Sequence, residues 1–387
     1  MKKKILIVNS FYDPDIVGGA EVSTQVLAES LNEDFNVTVL TSSNHRDETL
    51  YDYINGVQVI RIPNLNKYSL MEKNNPNLID KLLWHFNNTF NKKQLNSINK
   101  IIKEVNPDIV HTQNLNGIGS YIWTLAKKNN CFVMHTLRDY QLIRPTTIKF
   151  INYMISSVNR KRAKNVNCVI GISKFILKEF SDVKLFESSD KKVIYNTINN
   201  KTYEKKSRLD SSPLKIGYFG RLEVEKGIEF FLKAVTNISS HVVEEVCIVG
   251  TGSCETELYE EYSRDKRIKF WGKLPFEETQ LKMSQMDLII VPSLWPEPFG
   301  RVLIEAYRQG TPVVATNVGG IPEIIQNKEM LVEADDIQGL EEKIRFIFNL
   351  DKNKFEKLSQ DCKNYSLSFS KPHDEYISLY KYILENK

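Results

Sequence analysis

The sequence predicts an α/β protein made of two doubly wound domains in tandem, each a parallel sheet covered by helices. Three observations lead there. The chain has 387 residues, more than one ordinary hydrophobic core accommodates. Short β-branched runs alternate with amphipathic segments along its length, the pattern of strand-helix-strand units. Apolar periodicity lapses in "KTYEKKSRLDSS", residues 201–212, which reads as a linker before a second series of runs.

In chain order, "KKILIVN" (residues 3–9) is a first strand, its apolar run too short for a signal peptide. "DPD" at Asp13 to Asp15 falls in the loop that follows and reads as a turn rather than a metal motif. "GGAEVSTQVLAESL", from Gly18, opens a helix. Gly18 and Gly19 would let backbone approach a ligand while the helix presents its first N–H groups. "NVTVLTS" (36–42) and "VQVIRIP" (57–63) are further strands. "IDKLLWHFNNTFNKKQLNSINKIIKEV" (79–105) has a helical pattern whose Ile98, Ile101 and Ile102 would cover the sheet. "DIVHTQ", "CFVMHTL", "NCVIGIS" and "KKVIYN" complete the first series. "LKIGYFG", "VCIVGTG", "RIKFWG", "DLIIVPS" and "TPVVATN" form the second. The terminal "DEYISLYKYILENK" is an amphipathic helix whose docking partner the pattern leaves open.

Apolar content of 41% and charged content of 26% fit a folded protein and exclude a disordered one. No apolar run reaches the length of a membrane span. Cys131, Cys168, Cys247, Cys254 and Cys362 show no paired metal spacing and read as reduced, mostly buried thiols of a cytoplasmic protein. The net charge of +4 hides an asymmetry. Residues 1–200 carry 26 basic against 18 acidic side chains, residues 201–387 carry 26 against 30, and Arg61 to Lys178 hold 19 against 5. So basic a sector predicts an anionic partner. Leu82, Leu83, Trp84, Phe86 and Phe90 lie among Lys81, Lys92, Lys93 and Lys100, with "NRKRAK" further on, which predicts contact with an anionic membrane.

Ligands of open α/β sheets bind beyond the carboxyl ends of the strands, so the residues there carry the chemistry of the expected cleft. In "GRLEVEKG", Arg221 offers a planar fork and Lys226 a point charge beside a helix start, a pair that would hold a diphosphate without metal. The same two cations also suit ion pairs with Glu223 and Glu225 in a solvated loop. Gly252, in "GTGS", belongs to a fragment of a dinucleotide fingerprint without its full spacing. In "PEPFGRVLIE" (296–305), Pro296 and Pro298 restrict the backbone around Glu297. Gly300 allows close approach, the N–H groups of Arg301 and Val302 begin a helix, and Glu305 lies one turn deeper on the face of Arg301. Two carboxylates so placed suit sugar and ribose hydroxyls. In the first domain, His111 is expected at a strand end facing the cleft or as a satisfied structural histidine. Arg138 and Asp139 suit acceptor hydroxyls or a lipid phosphate, or an ion pair capping the next helix.

Together "GRLEVEKG", "PEPFGRVLIEA" and "GTPVVATNVGGIPEII", with "GGAE", "PDIVHTQN", "VIGISKF" and "VIYNTIN" in order, resemble glycosyltransferase family 4, retaining transferases of GT-B fold, in its bacterial surface-polysaccharide group. The resemblance implies an acceptor-binding domain over residues 1–200 plus a helix at about 370–387, and a donor-binding domain over 213–369. It implies Arg221 and Lys226 on the donor diphosphate, Glu305 on the ribose and Glu297 on the transferred sugar, with Gly19 and the backbone of Gly300 to Val302 on phosphate and sugar. It further implies transfer of a hexose or N-acetylhexosamine from a nucleoside-diphosphate sugar, a UDP-sugar, to a polysaccharide or lipid-linked acceptor. The reaction would need no cofactor or metal and no nucleic acid, and would run in the cytoplasm at the inner face of the membrane. Where the family often has histidines, this chain has Gln113 and Arg138. That departure keeps a non-catalytic sugar-nucleotide-binding subunit open as an alternative, beside a GT-B epimerase.

Overall fold

The computed structural model describes residues 2–16, 18–43, 48–66, 68, 77–146, 148–196, 201–205, 208–370 and 372–386. The chain divides into two units, Met1–Thr197 with Pro372–Lys387, and Ile198–Lys371. Unit 1 contains strands β1 (Lys4–Val8), β2 (Asn36–Ser42), β3 (Leu50–Ile54), β4 (Val57–Ile62), β5 (Ile109–Thr112), β6 (Phe132–Leu137), β7 (Cys168–Gly171) and β8 (Asp190–Val193). Their order in the sheet is β3-β4-β2-β1-β5-β6-β7-β8. The inner strands are buried on both faces, which is why they read as continuous apolar runs. The sheet is parallel except at one edge, where β3 pairs antiparallel with β4. Asn55 and Gly56 join the two strands with φ of 49° and 82°, both left-handed as a two-residue hairpin turn requires.

Six helices belong to the first series: α1 (Gly19–Leu31), α2 (Leu78–Phe90), α3 (Lys92–Val105), α4 (Tyr121–Lys128), α5 (Lys149–Ala163) and α6 (Lys174–Asp182). The segment expected as one helix over 79–105 is two. Asn91 leaves the helical region and its side chain accepts from the amides of Lys93 and Gln94, capping α3. Ile98, Ile101 and Ile102 are buried, as their spacing requires. Trp84 is also buried rather than exposed, its indole N–H donating to the Tyr68 carbonyl at 3.1 Å.

Unit 2 contains β9 (Leu214–Phe219), β10 (Val243–Val249), β11 (Ile268–Phe270), β12 (Leu288–Val291), β13 (Val313–Thr316) and β14 (Leu331–Val332), ordered β11-β10-β9-β12-β13-β14 and all parallel. Its helices are α7 (Ile228–Thr236), α8 (Glu255–Tyr262), α9 (Phe276–Gln285), α10 (Arg301–Arg308), α11 (Ile321–Ile324), α12 (Ile337–Phe348) and α13 (Lys352–Ser366). In each sheet the order of connection reverses once, between β1 and β5 and between β9 and β12.

The terminal helix α14 (Pro372–Glu385) returns to unit 1. Tyr376, Tyr380 and Ile383 join the core made by Ile5, Leu27 and Val37, and Lys381 pairs with Asp34 at 2.6 Å. The stretch expected as a linker is tied into unit 2. Lys205 donates to the Met286 carbonyl (2.6 Å) and the Thr311 hydroxyl (2.8 Å), and burial lowers its pKa to about 8. Arg208 donates to the carbonyls of Ser212 and Phe348. Cations reaching backbone acceptors hold this coil without any apolar pattern.

Candidate functional site

The switch point between β9 and β12 is where a doubly wound sheet opens a ligand crevice, and unit 2 brings its expected residues together there. After β9 the chain turns through 220–227; Gly227 has φ 67°, and a Cβ on it would lie 1.9 Å from the Pro292 carbonyl oxygen. Only glycine allows that approach between the loops that follow β9 and β12. The amides of Leu294 and Trp295 donate to the Glu225 carbonyl at 3.0 and 3.1 Å. So joined, the loops place Lys226 Nζ 2.5 Å from Glu297 Oε1, with the Ser293 hydroxyl donating to the same carboxylate oxygen at 2.7 Å. The Lys226 and Glu297 side chains are 21% and 15% exposed, so the pair is partly desolvated.

The backbone of Glu297 is seated from the other side. The Gly320 amide donates to the Glu297 carbonyl at 2.7 Å, and a Cβ on Gly319, whose φ is 61°, would fall 2.4 Å from the Glu297 N and O. Gly300, at φ 92°, turns the chain into α10. The first N–H groups of a helix lack intrahelical acceptors, and Arg301 and Val302 are the first two residues of α10. Glu305 accepts from Arg301 Nε (3.0 Å) and Nη2 (2.7 Å), the i, i+4 relation its spacing predicts.

Arg221 lies apart from this pair. Its guanidinium is exposed and donates to Glu225 at 3.1 Å, the solvated ion pair that the sequence left open. Gly252 is a packing glycine: a Cβ there would meet the Leu222 carbonyl oxygen at 2.2 Å. The "GTGS" loop is thereby pressed onto the loop after β9, and Glu223 fastens it by accepting from the Ser253 amide (3.2 Å) and hydroxyl (2.5 Å).

In unit 1 the expected positions form an internal network. His111 does not face a crevice; it is wholly buried. Its Nδ1 shares a hydrogen bond with the Tyr380 hydroxyl, and its Nε2 with the Thr136 hydroxyl at 2.8 Å. Burial, with the Arg138 charge, holds its imidazole well below the ordinary range. Neighbouring His135 is pushed by burial to about 3. Gln113, also buried, contacts the His111 ring at 3.0 Å and accepts from Arg138 Nε at 2.6 Å, while Arg138 Nη1 donates to the Asn196 side chain at 2.6 Å. Asp139 accepts from the Gln141 amide at 2.9 Å, and burial raises its carboxyl. At the start of α1 the Gly18 amide donates to Glu21 Oε2 at 2.8 Å. A buried carboxylate of the chain itself, its pKa raised by burial, therefore takes a place expected for ligand. Gly18 is extended, with φ −163°, so no steric demand selects glycine there; Gly19 is the first residue of α1.

The sequence pattern does not mark Ser293, Glu21, Asn196 or Tyr380. Each acts through a fold contact distant in sequence or through one short hydrogen bond. A separate pocket of about 720 Å³ opens at the amino-terminal end of the unit 2 sheet, where Lys215, Lys269 and Lys282 mix with Glu244, Glu245 and Asp287. Its balanced charges favour no one ligand, and it lies at the opposite end from the switch-point loops.

The family model described as "Glycosyltransferase Family 4" matches residues 17–201, and that described as "Glycosyl transferases group 1" matches residues 199–368. An uncharacterized 42.6 kDa protein in the cps region of Klebsiella pneumoniae is 33% identical over 90% of this chain and 96% of its own length. Sucrose-phosphate synthase from Thermosynechococcus elongatus superposes with a TM-score of 0.79 at 19% identity over 100% of both chains. Anabaena HepE, in complex with UDP-glucose, superposes with a TM-score of 0.69 at 19% identity, over 97% of this chain and 99% of that one.

Proposed function

The chain is a glycosyltransferase of family 4 with the GT-B fold, and from that premise we propose that it moves a hexose or N-acetylhexosamine, with retention, from a UDP-sugar to a polysaccharide or lipid-linked saccharide. The observation that carries the reading is the Lys226–Glu297 pair beside the start of α10 at the β9/β12 switch point.

Unit 2 holds the donor. Lys226 and the first N–H groups of α10 meet the diphosphate, and Arg221 exchanges its exposed Glu225 partner for a phosphate oxygen. An exposed ion pair contributes only about 0.2–1 kcal/mol, so that exchange costs little. Glu297 accepts from hydroxyls of the transferred sugar and Glu305 from the ribose. As the bond from the anomeric carbon to the diphosphate breaks, its electron pair passes to the leaving oxygen, which these cations and N–H groups stabilise. The acceptor oxygen bonds to the anomeric carbon on the same face, and its proton goes to the departing diphosphate. No metal and no side-chain base is required. Arg138 and Asp139 of unit 1 position acceptor hydroxyls; Gln113 orients Arg138, and His111 supports Gln113 from inside. The acceptor is presented at an anionic membrane surface on its cytoplasmic side.

The test is a binding screen of nucleoside diphosphates and their sugars by thermal shift, since a ligand of the folded state stabilises it by mass action. Product NMR with a saccharide acceptor and excess EDTA follows. UDP-sugars giving the largest shift, and an anomerically retained product formed in EDTA, are expected. No shift with any nucleotide, an inverted product, or activity restored only by added divalent metal would overturn the reading.

A further inference from the structure

The two faces of the unit 1 sheet are not covered alike. Ile5, Val37, Val57 and Val59 point into the core that α1 and α14 complete. Their sequence neighbours along each strand point the opposite way. On that side α3, with Ile98 and Ile102 buried, ends at Val105, whose carbonyl accepts from Lys4 Nζ at 3.1 Å. Beside that last turn an open groove of about 220 Å³ crosses the starts of β1, β2 and β4. Thr38 and Ile60 floor it, Asn36 and Gln58 lie along it, and Glu104 stands at the helix end.

Strand register extends the same face to the free edge of the sheet. Gln58 pairs with Thr38 on one side and with Tyr53 on the other, and Ile60 pairs with Tyr51. Directly opposed residues share a face, so both tyrosines of β3 stand beside the groove. They are 53% and 76% exposed, Tyr53 the more. The Thr38 hydroxyl donates to Gln58 Oε1 at 3.2 Å. That bond orients the amide and leaves its two N–H donors without a partner among the described residues, as is the side-chain amide of Asn36.

We propose that this groove is a non-catalytic site for a neutral saccharide, with the Tyr53 ring against the apolar CH face of a pyranose and the Asn36 and Gln58 amides on its hydroxyls. The Glu104 carboxylate accepts from a further hydroxyl at the helix end. The chemistry of the groove selects that occupant. One lysine against one glutamate gives a polyanion no net attraction, and Lys4 is already engaged by the Val105 carbonyl. Sites that enclose drug-sized molecules measure about 300–1,000 Å³, so this smaller groove suits one or two sugar rings and not a sugar nucleotide. An apolar peptide would cover the Gln58 donors without pairing them, which is unfavourable. Hydroxyls both donate and accept, as amides and a carboxylate require. The groove lies at the amino ends of its strands, whereas Gln113, Arg138 and Asp139 follow the carboxyl ends of β5 and β6. It is thus a second site, and it rests on the proposed transfer only for the expectation that saccharide chains are at hand.

The experiment is saturation-transfer NMR on the full chain with neutral trisaccharides of glucose, galactose, mannose and N-acetylglucosamine. No donor is added, so the result does not depend on transfer. At least one trisaccharide should bind, with a millimolar Kd. Tyr53→Ala with Asn36→Ala should weaken that binding about tenfold or more. Both side chains are exposed, so melting temperature and UDP affinity should not change. Gln58→Glu keeps an acceptor for the Thr38 hydroxyl but removes the two donors, and should weaken binding about fivefold or more. Asp139→Ala should retain it. Binding of none of the trisaccharides, or equal binding in the Tyr53/Asn36 variant, overturns the assignment. So does tighter binding of a uronic-acid trisaccharide, or a dimer in the wild type that becomes a monomer in that variant, since the free edge then covers a second copy. Binding lost in Asp139→Ala and kept in the Tyr53/Asn36 variant would sink the groove while supporting the acceptor position, so the two readings fail separately.

Discussion

Lys226 and Glu297 should respond to substitution with opposite signs. In the structure Glu297 neutralises Lys226 at 2.5 Å in a setting where both are largely covered. A bare nucleoside diphosphate needs the lysine and not the carboxylate. Lys226→Ala removes a charge-assisted hydrogen bond to phosphate, about 1.5–3 kcal/mol, so UDP should bind about 10- to 150-fold more weakly. The same change strands Glu297. Breaking a fully buried pair costs about 3–5 kcal/mol, but Glu297 keeps the Ser293 hydroxyl at 2.7 Å and some solvent, so about 1–2 kcal/mol of stability should be lost. Glu297→Gln keeps an acceptor for Ser293 and removes the charge that competes with phosphate. UDP affinity should hold or rise, by up to about tenfold, while sugar transfer falls by at least about tenfold because a charged acceptor for sugar hydroxyls is gone. Titration calorimetry with UDP, beside turnover of the sugar nucleotide and melting curves, reads all three quantities. Equal loss of UDP affinity in both variants would refute the assignment of diphosphate to Lys226 and sugar to Glu297.

Gly227→Ala should destabilise unit 2 by more than about 2 kcal/mol in denaturant melts, since it adds a left-handed non-glycine residue to a contact of 1.9 Å with the Pro292 carbonyl. Buried His111 and His135 have folded pKa values below their unfolded ones, His135 at about 3. The unfolded chain therefore binds more protons, and the stability these two residues contribute is complete above about pH 6.5 and lost as pH falls toward 3, at up to about 1.4 kcal/mol per pH unit for each. Melting temperatures from pH 7.5 down to about pH 4.5 should fall less steeply in His135→Gln. Tyr380→Phe keeps the ring and removes the hydroxyl that meets His111; it should cost about 1 kcal/mol of stability and leave UDP affinity, measured by calorimetry, unchanged.

The fold was largely legible because buried parallel strands announce themselves. β1, β2, β5, β6 and β7 are almost wholly enclosed, and a strand enclosed on both faces needs an unbroken apolar run. β3 was not legible as a run, since "LYDYI" is an exposed edge. Its signal was the Asn55-Gly56 pair, which fixes a hairpin turn and hence a partner strand. The break of 79–105 at Asn91 was hidden for the opposite reason: both halves keep helical spacing, and one capping side chain decides the boundary.

The site was legible only where chemistry is local. Glu305 and Arg301 are one helical turn apart in α10, so spacing predicts their contact, whereas Arg221 and Glu225 meet within the loop after β9. The sequence offered Arg221 two futures, phosphate or an ion pair with Glu223 or Glu225 in a solvated loop, and the fold shows the pair with Glu225. Lys226 offered the same choice, and the fold gave it a third partner 71 residues away. No spacing rule reaches that far. What reaches it is steric: Gly227 admits the Pro292 carbonyl and Gly319 admits the backbone of Glu297. The two glycines hold the loops after β9, β12 and β13 close enough for one lysine to find one carboxylate. The glycines of "EKG" and "GGIP" thus bear on the chemistry by setting a distance, and any larger residue at either position should separate the cation from the carboxylate before it touches a ligand.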